Sequence, residues 1–243
     1  MWVGSRTVQR DRGQLTLSHP SPNFGARRDG ARPDMVVIHY TAMQSAEAAC
    51  RALCNPDREV SAHYLIAENG HVMSLVAEEM RAWHAGAGAW GDVTDVNSRS
   101  IGIELANDGF SPFAAPQMAA LATLLADINT RWAIQPERVI GHSDMAPGRK
   151  IDPGLRFDWQ RLARCGLSVW WDGYPQPDQD ISLAGFRAAA RAFGYADVAD
   201  DLLLATFRRR FRPWGCGALD PWDCHIAAQL AQRFPVDGFA AKA

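Results

Sequence analysis

The sequence predicts an α/β protein in which a mixed central β-sheet has helices on both faces and is followed by a small C-terminal three-helix bundle. Three observations predict this fold class. Short apolar runs rich in β-branched residues have the pattern of strands buried on both faces, which requires a sheet covered by helices. An Asn-Gly pair joins two further strands. Apolar residues three and four positions apart predict helices between the strands and after the last of them.

Three apolar runs predict the central strands, and each ends on or contains a polar residue that needs an explanation. The first begins after Pro33-Asp34 and leads into His39. The second is interrupted by Glu104, a carboxylate inside an otherwise apolar strand, where burial without a partner is costly. The third ends on His142. The runs are MVVI at 35–38, SIGIEL at 100–105 and RVIG at 138–141.

Helices and a hairpin fill the segments between and after these strands. A serine cap starts a helix over Ser45–Leu53, and the Asn55-Pro56 pair stops it. The two strands within SAHYLIAENGHVMSLV turn at Glu68-Asn69-Gly70, because Asn-Gly is the strongest short hairpin signal. Helical spacing of apolar residues predicts a long helix and three C-terminal helices, over Ala115–Trp132, Ile181–Tyr195, Ala199–Phe211 and Pro221–Phe234.

Composition divides the chain into four segments. Residues 1–30 are polar and rich in Gly, Arg and Pro, which predicts an irregular lead-in, and residues 31–170 hold the sheet. Residues 171–180 are dense in Pro, Gly and Asp and are predicted to be a linker, followed by a helical domain at 181–243. Within that domain, Arg208–Arg210 forms either a surface for a polyanion or glycan or, as is usual for a charge run on a helix, a solvated face.

Charge and composition disfavour several classes of partner. The formal net charge of -2 creates no field that would gather a polyanion, so nucleic acid is not an expected partner. No apolar stretch approaches the roughly 20 residues of a membrane span. The N-terminus lacks the apolar core of a signal peptide, which predicts a cytoplasmic protein, or a periplasmic one if a leader has been removed. Five cysteines at irregular spacing fit a reducing compartment, with Cys216 and Cys224 the best-placed pair for a disulfide. The oligomeric state stays open.

Two histidines and an aspartate form the strongest chemical pattern in the chain. His39 and His142 each end a predicted strand, and catalytic groups collect at strand ends of α/β sheets. Asp152 follows in GHSDMAPGRKIDPG, where Gly and Pro force a looped path that can fold back. Two imidazoles and a carboxylate supply three zinc ligands and leave a fourth position for water. Taken singly, each histidine could be a hydrogen-bonded structural residue and Asp152 a turn residue.

A metal site that hydrolyses an amide also needs a proton acceptor and a group that stabilises the developing oxyanion. Glu104 is the candidate acceptor, since burial in an apolar strand would raise the pKa of its carboxyl group toward a useful range. Lys150 lies two residues before Asp152 and could place its ammonium group near the metal. The alternatives are a structural ion pair between Glu104 and an arginine such as Arg99, and a solvated loop lysine at 150.

The motifs VIHYT, VSAHYLI, RAWHAG, SIGIEL and above all GHSDMAPGRKIDPG resemble the N-acetylmuramoyl-L-alanine amidases of the amidase_2 group, over roughly residues 20–170. That group shares its fold with bacteriophage T7 lysozyme and the peptidoglycan recognition proteins. The resemblance implies one Zn²⁺ held by His39, His142 and Asp152. It further implies that Glu104 activates water and passes the proton to the leaving amine, and that Lys150 stabilises the oxyanion. The implied reaction is hydrolysis of the lactyl–L-alanine amide in peptidoglycan fragments.

The SPNF stretch, RAWHAG and the C-terminal helices look most similar to AmiD-type members, whose second domain resembles a peptidoglycan-binding helical module. Those members are usually exported lipoproteins, whereas this sequence shows neither a leader nor a lipid-acceptor cysteine near Met1. The difference favours a cytoplasmic enzyme of muropeptide recycling, similar to AmpD. The alternatives are a recognition protein that binds muropeptides without cleaving them, a zinc peptidase acting within the stem peptide, and a purely structural zinc protein with four protein ligands.

Five further residues are candidates for contact with the substrate. His63 lies on a strand whose alternation places it either in the cleft or under the sheet. A Gly-rich loop carries Trp83 and His84. His84 is interpreted as a substrate contact, whereas Trp83 either contacts the substrate or packs in the interior. Asn97 and Arg149 either bind carboxylates of the stem peptide or brace the loops, and arginine is the better partner for a planar carboxylate.

Overall fold

The computed structural model of the chain describes residues 18–173 and 180–236, together with the backbone of two short strands at 10–11 and 14–15. The rest of the predicted lead-in before residue 18, residues 174–179 of the predicted linker and residues 237–243 lie outside the described part. Among the described residues, every helix is too short or too polar to cross a membrane.

Strands β1 to β9 comprise Arg10–Asp11, Gln14–Leu15, Phe24–Ala26, Met35–Tyr40, Tyr64–Ile66, Val72–Ser74, Met80–Ala82, Ser100–Leu105 and Val139–Gly141. Helices α1 to α8 comprise Ala46–Leu53, Val96–Arg99, Ala115–Trp132, His142–Met145, Trp159–Arg164, Leu183–Phe193, Asp200–Phe211 and Pro221–Arg233. Short 3₁₀ turns lie at Arg28–Gly30, Pro56–Arg58 and Pro136–Arg138.

The central sheet has five strands in the order β6-β5-β8-β4-β9. Strands β5, β8, β4 and β9 run parallel to one another, and β6 pairs antiparallel with β5, so the sheet is mixed as the sequence predicts. In the register of β4 and β8, His39 lies opposite Glu104. Because neighbouring strands are about 4.8 Å apart, this register places the two side chains next to each other on one face.

One face of the sheet is covered by α3. Residues at alternate positions of β4 and β8 point to this face and pack on the apolar stripe of the helix, where every side chain is almost fully buried. The contacts include Val36, Ile38, Ile101, Ile103 and Leu105 from the sheet, and Met118, Leu121, Leu125 and Ile128 from the helix.

The opposite face has two separate apolar clusters with polar residues between them. Met35 and Val37 pack with the C-terminal helices, while Leu65 and Leu75 pack with α1. Between these clusters β8 presents Ser100, Gly102 and Glu104, because residues two apart in a strand share a face. This strip of β8 and His39 on the neighbouring strand lie between the two apolar clusters and belong to neither.

The predicted helices, the hairpin and the first two central strands agree with the structure, but the third strand and the irregular lead-in do not. Within that lead-in, Phe24–Ala26 forms β3, which pairs antiparallel with β7. Helix α3 has the predicted bounds, α1 begins after Ser45, whose side chain accepts a hydrogen bond from the Ala48 amide, and the hairpin turns at the predicted Asn-Gly pair. The prediction that His142 ends a strand is wrong, because β9 stops at Gly141 and His142 begins α4. The Asp144 carboxylate accepts a hydrogen bond from the Gly141 amide (2.8 Å), which closes a helical turn there.

The three C-terminal helices are present as predicted, and they share an apolar core with the sheet. The indole of Trp90 is fully buried between Phe193 and Tyr195, with ring centroids 5.4 and 5.1 Å apart. The amide of Gly91 donates to the carbonyl of Gly194 (2.7 Å). The division into a catalytic and a helical domain stays a prediction, while the packing joins the two segments into one core.

The arginine run on α7 is not a solvated face. Arg208 is buried against Asp223, with Nε–Oδ1 and Nη2–Oδ2 distances of 3.0 and 2.5 Å. Arg210 is buried against Asp144, with an Nη1–Oδ2 distance of 2.7 Å. The helix places positions 208 and 210 toward the interior, where each guanidinium pairs with a carboxylate. These carboxylates are 15 and 66 residues away in the chain, so the pairs are not visible in the sequence.

We expect Gly194→Ala to lower the free energy of unfolding by about 3 kcal/mol, combining backbone strain with overpacking. Gly194 has φ of 128°, and a Cβ there would lie 2.5 Å from the Trp90 ring. Gly166→Ala is the control, since φ is 69° but nothing lies within 4 Å of its Cβ, and it should cost about 1 kcal/mol. Urea unfolding measures both; equal losses would contradict the packing of Trp90 on this turn.

Candidate metal centre

His39, His142 and Asp152 come together in the interior. The two Nδ1 atoms are 2.9 Å apart, and each is 3.0 Å from Oδ2 of Asp152. His39 lies near the end of β4, His142 begins α4, and Asp152 follows on the loop after α4. The amide of Ser143 donates to the carbonyl of Asp152 (2.8 Å), which draws this loop back to α4. All three side chains are buried.

The proton of His142 is on Nε2. This atom lies 2.9 Å from the carbonyl oxygen of Ala85. A carbonyl oxygen can only accept, so Nε2–H is the donor and Nδ1 of the neutral ring carries a lone pair. That lone pair points to the His39 and Asp152 atoms.

A chain of hydrogen bonds gives His39 the same tautomer. The Ser100 hydroxyl donates to the Val96 carbonyl (2.5 Å), so it accepts from Nε2–H of His84 (3.2 Å). Nδ1 of His84 is then an acceptor and takes the Nε2–H of His39 (3.0 Å). These proton positions follow from the network, and they leave Nδ1 of His39 with a lone pair.

Three electron-pair donors therefore converge without a proton between them in the neutral state. Such an arrangement is repulsive unless a cation sits among the three atoms. Ligands about 2.0–2.2 Å from a tetrahedral zinc ion are about 3.3–3.6 Å apart, so the three atoms here need to separate by only a few tenths of an ångström to bind one. Two imidazoles and one carboxylate match the composition of catalytic zinc sites and leave a fourth coordination position open. The site fits zinc.

Burial and charge keep His39 and Asp152 in the states that bind a metal. Burial, and then the neighbouring His142, lower the pKa of His39 to about 4, so its ring is neutral at pH 7. Burial works to raise the pKa of Asp152, but the adjacent His142 and His39 outweigh it and hold that pKa below its ordinary range. Neutral imidazole and ionised carboxylate are the forms that coordinate a cation.

Glu104 lies beside His39 in the register of β4 and β8. Burial raises the pKa of its carboxyl group to about 8, the nearby Asp152 adds to the effect, and Lys150 opposes it. Oε2 of Glu104 is buried and has no hydrogen-bond partner among the described residues. The alternative partner, Arg99, bonds to Asp34 instead, at the opposite end of the strands (Nε–Oδ1 3.1 Å). An unpaired carboxyl group next to a metal site is available for proton transfer.

Lys150 is half-buried, and its backbone amide donates to the carbonyl of Ala146 (3.1 Å) at the turn that joins α4 to the Asp152 loop. Its positive charge works to lower the pKa of both Glu104 and His39. The role of Lys150 toward an oxyanion stays a prediction.

Two of the predicted substrate residues are engaged inside the protein. His63 is fully buried: its Nδ1 accepts from the Gly102 amide (2.9 Å), and its Nε2–H donates to the Met80 carbonyl (3.1 Å). His84 serves as the acceptor for His39 and lies flat against Gly102, where a Cβ would be 2.4 Å from the ring. His63 is buried beside His84, with ring centroids 5.7 Å apart, and offers no exposed surface to a substrate. The hydrogen bond between His84 and His39 makes His84 a partner of the metal-site histidine.

The other predicted substrate residues line the loop after β7. Oδ1 of Asn97 accepts from the amides of His84 (3.1 Å) and Ala85 (2.8 Å), so Asn97 braces this loop. Arg149 is exposed and donates to the Ala85 carbonyl (2.6 Å) and to that of Ala87. Trp83 is half-buried, and its amide donates to the hydroxyl of Ser61 (2.9 Å). Substrate contact by these three residues stays a prediction.

Sequence reasoning missed the residues that orient the ligands. The Ala85 carbonyl and the Ser100 hydroxyl set the two tautomers, but neither residue type attracts attention in a sequence. Gly102 did carry a signal, since a glycine inside a buried strand marks a close approach by another group. That group is the His84 ring.

Comparison with known families and proteins gives consistent matches. The family model Amidase_2, described as N-acetylmuramoyl-L-alanine amidase, matches residues 29–155. N-acetylmuramoyl-L-alanine amidase AmiD of Escherichia coli (strain K12) is 37% identical, with 85% of this chain and 85% of that protein covered. The 1,6-anhydro-N-acetylmuramyl-L-alanine amidase AmpD of Enterobacter cloacae is 31% identical over 59% of this chain and 86% of its own.

Solved structures extend the similarity to the C-terminal helices. AmiD from E. coli, in complex with the substrate anhydro-N-acetylmuramic acid-L-Ala-D-γ-Glu-L-Lys, has a TM-score of 0.74 and 32% identity, over 90% of this chain and 93% of that one. AmpDh3 from Pseudomonas aeruginosa, in complex with anhydromuramic pentapeptide, has a TM-score of 0.76 and 32% identity, over 94% and 100%. Coverage of this extent includes both the sheet and the helices that follow it.

We expect Gly102→Ala to lower the affinity for Zn²⁺ about 10- to 100-fold, because a Cβ at this position displaces His84 from His39 while every ligand is retained. Competition with a chromophoric chelator measures the affinity. Gly25→Ala is the control, since nothing lies within 4 Å of its Cβ, and it should bind zinc as the wild type does. Wild-type affinity in Gly102→Ala would show that His84 does not orient the ligand.

The Glu104 carboxyl group should make metal-free protein less stable as pH rises. Its pKa is about 8 in the folded protein and about 4.5 in the unfolded chain, so the folded state holds the extra proton between these values. The free energy of unfolding of the wild type, relative to Glu104→Gln, should therefore fall between pH 5 and 8, by at most about 1.4 kcal/mol per pH unit. Urea unfolding in the presence of EDTA measures this difference; parallel profiles for the two proteins would contradict it.

Proposed function

The chain belongs to the Amidase_2 family of N-acetylmuramoyl-L-alanine amidases, and from this membership we propose its substrate, its metal and its catalytic residues. It hydrolyses the amide between the lactyl group of N-acetylmuramic acid and L-alanine in anhydro-muropeptides. One Zn²⁺ is held by His39, His142 and Asp152. The observation that carries the proposal is the convergence of their three lone pairs at 2.9–3.0 Å, since it creates a site for a cation.

The substrate class is supported by two relatives solved with related molecules. The AmiD complex contains an anhydro-N-acetylmuramic acid tripeptide, and the AmpDh3 complex contains an anhydromuramic pentapeptide. The AmiD structure matches 90% of this chain and the AmpDh3 structure 94%. On that basis we propose the same class of substrate for this chain. Candidate contacts are Arg149, Asn97 and Trp83, which lie along the loop after β7.

Zinc bound at this site supplies a Lewis acid that polarises the scissile carbonyl and lowers the pKa of water. Glu104 then takes a proton from the attacking water on its carboxylate and returns it to the nitrogen of L-alanine as the amide bond breaks. A pKa near 8 in the metal-free protein suits a group that must bind and release a proton near neutral pH. Lys150 places a positive charge near the oxygen that becomes negative.

A role in recycling muropeptides in the cytoplasm is a further part of the proposal. All five cysteines are free thiols, including the exposed Cys165 and Cys216, and the pair considered for a disulfide, Cys216 and Cys224, is not joined. Unpaired exposed thiols favour a reducing compartment. Fractionation of cells that express the native protein tests this location, and recovery of the protein in the envelope would contradict it.

Turnover of anhydro-N-acetylmuramic acid tripeptide, followed by mass spectrometry, tests the reaction. The wild type should release the intact peptide with a free N-terminal alanine. Glu104→Gln should lose about 10²- to 10⁴-fold in kcat and still bind one zinc ion per chain, because a general base is removed and the ligands remain. Glu79→Gln makes the same chemical change at an exposed position and should keep wild-type turnover.

The same assay separates the alternative functions. Products cut within the peptide would identify a peptidase, and binding without turnover by the zinc-loaded wild type would identify a recognition protein. Retained turnover in Glu104→Gln would contradict the role given to this carboxylate.

A further inference from the structure

Asp144 lies two residues after the ligand His142, on the single turn of helix α4. Its carboxylate is almost fully buried and accepts three hydrogen bonds. Oδ2 accepts from the Gly141 amide (2.8 Å) and from Nη1 of Arg210 (2.7 Å), and Oδ1 accepts from the hydroxyl of Tyr195 (2.9 Å). A helix of one turn has too few internal hydrogen bonds to be stable alone. Two of the three groups that hold its carboxylate come from the C-terminal helical segment.

Arg210 connects α4 to the neighbouring elements. Its Nη2 donates to the carbonyl of Val139 in β9 (3.1 Å) and to the hydroxyl of Ser168 (3.2 Å). Its guanidinium lies over the ring of Trp159 in α5, 4.3 Å from the centroid. The side chain is 1% exposed. Only the planar fork of arginine reaches all these acceptors from one position.

The other contacts of α4 link the metal ligands to one another. The Ser143 amide holds the Asp152 carbonyl (2.8 Å), and the carbonyl of Met145 accepts from the amide of Ala89 (2.8 Å) on the loop that orients both histidines. A shift of α4 would therefore change the position of His142 relative to Asp152 and to the Ala85 carbonyl.

We propose that the C-terminal helices complete the metal centre, with Arg210 and Tyr195 acting as positioning residues that hold α4, and with it His142, through Asp144. The inference rests on the zinc site of the proposed function. It gives the helical segment a role in the catalytic part of the protein, independent of any binding of glycan.

A buried ion pair by itself is weak support for a functional role, since many such pairs only contribute to folding. The chain contains a matched control on the same helix. Arg208 is also buried and bonds to Asp223 in α8 and to the carbonyls of Gly217 and Ala218 (2.7 and 2.8 Å). All of these partners lie within the C-terminal segment, so Arg208 supports the helices without contacting α4.

The experiment compares Arg210→Lys, Arg208→Lys and Tyr195→Phe in the full-length protein. Each lysine keeps the charge but cannot satisfy all the acceptors of the arginine, and Tyr195→Phe removes one hydroxyl while retaining the ring. Zn²⁺ affinity is measured by chelator competition, the visible spectrum of the Co²⁺-loaded protein reports ligand geometry, and the thermal midpoint reports stability. Hydrogen exchange of the amides from 141 to 145 is measured without metal.

We expect Arg210→Lys and Tyr195→Phe to bind Zn²⁺ about tenfold more weakly and to alter the Co²⁺ spectrum. Loss of groups that hydrogen-bond to and orient the ligands has an effect of this size at other zinc sites. The α4 amides of both variants should exchange at least tenfold faster. Arg208→Lys should lower the thermal midpoint. Its Zn²⁺ affinity, its Co²⁺ spectrum and the hydrogen exchange of its α4 amides should be those of the wild type. Equal behaviour of Arg208→Lys and Arg210→Lys in affinity and exchange would overturn the proposal.

Failure of the metal site itself would be seen separately. If wild-type protein bound no zinc, the proposed function would fail, and exchange in α4 would still decide whether Arg210 and Tyr195 hold this helix. Wild-type exchange in both variants would then overturn the positioning role.

Discussion

The convergence of three buried electron-pair donors is the constraint on which the rest of the site depends. Nδ1 of His39, Nδ1 of His142 and Oδ2 of Asp152 lie 2.9–3.0 Å apart, with no proton left to join the two rings. Left alone, these atoms repel one another, and the surrounding protein must hold them together until a cation binds. The neighbouring Glu104 stays uncharged at neutral pH without metal because burial raises its pKa to about 8, which avoids a second negative charge in the cluster.

The restraint comes from elements that do not themselves bind the metal. The loop after β7 provides the Ala85 carbonyl to one ligand and the His84 ring to the other, and its Trp90 is buried among the C-terminal helices. Helix α4 is attached to the same helices through Asp144. Outer hydrogen bonds of this kind select the tautomer and orientation of metal-binding histidines. The packing of the C-terminal segment and the chemistry of the centre are therefore physically connected in this protein.

Much of the local structure could be predicted because it depends on neighbours along the chain. Apolar spacing of 3.6 residues predicted α3 to its bounds, and Ser45 and Asn69-Gly70 predicted a helix start and a turn. The end of β9 could not be predicted, since the helical turn at His142 depends on a carboxylate held by α7. The burial of Arg208 and Arg210 was missed for the same reason, because their partners are 15 and 66 residues away.

By itself, the sequence determined the residue types of the candidate site: two histidines, an aspartate suited to a metal, and Glu104 inside an apolar run. It could do so because a polar residue that interrupts a buried pattern is costly and therefore conspicuous. Only the tertiary structure decided which nitrogen of each histidine faces the centre, that His84 supports His39, and that His63 is buried beside His84. Those properties depend on distances between atoms far apart in the chain, and a sequence contains no such distances until packing brings them together.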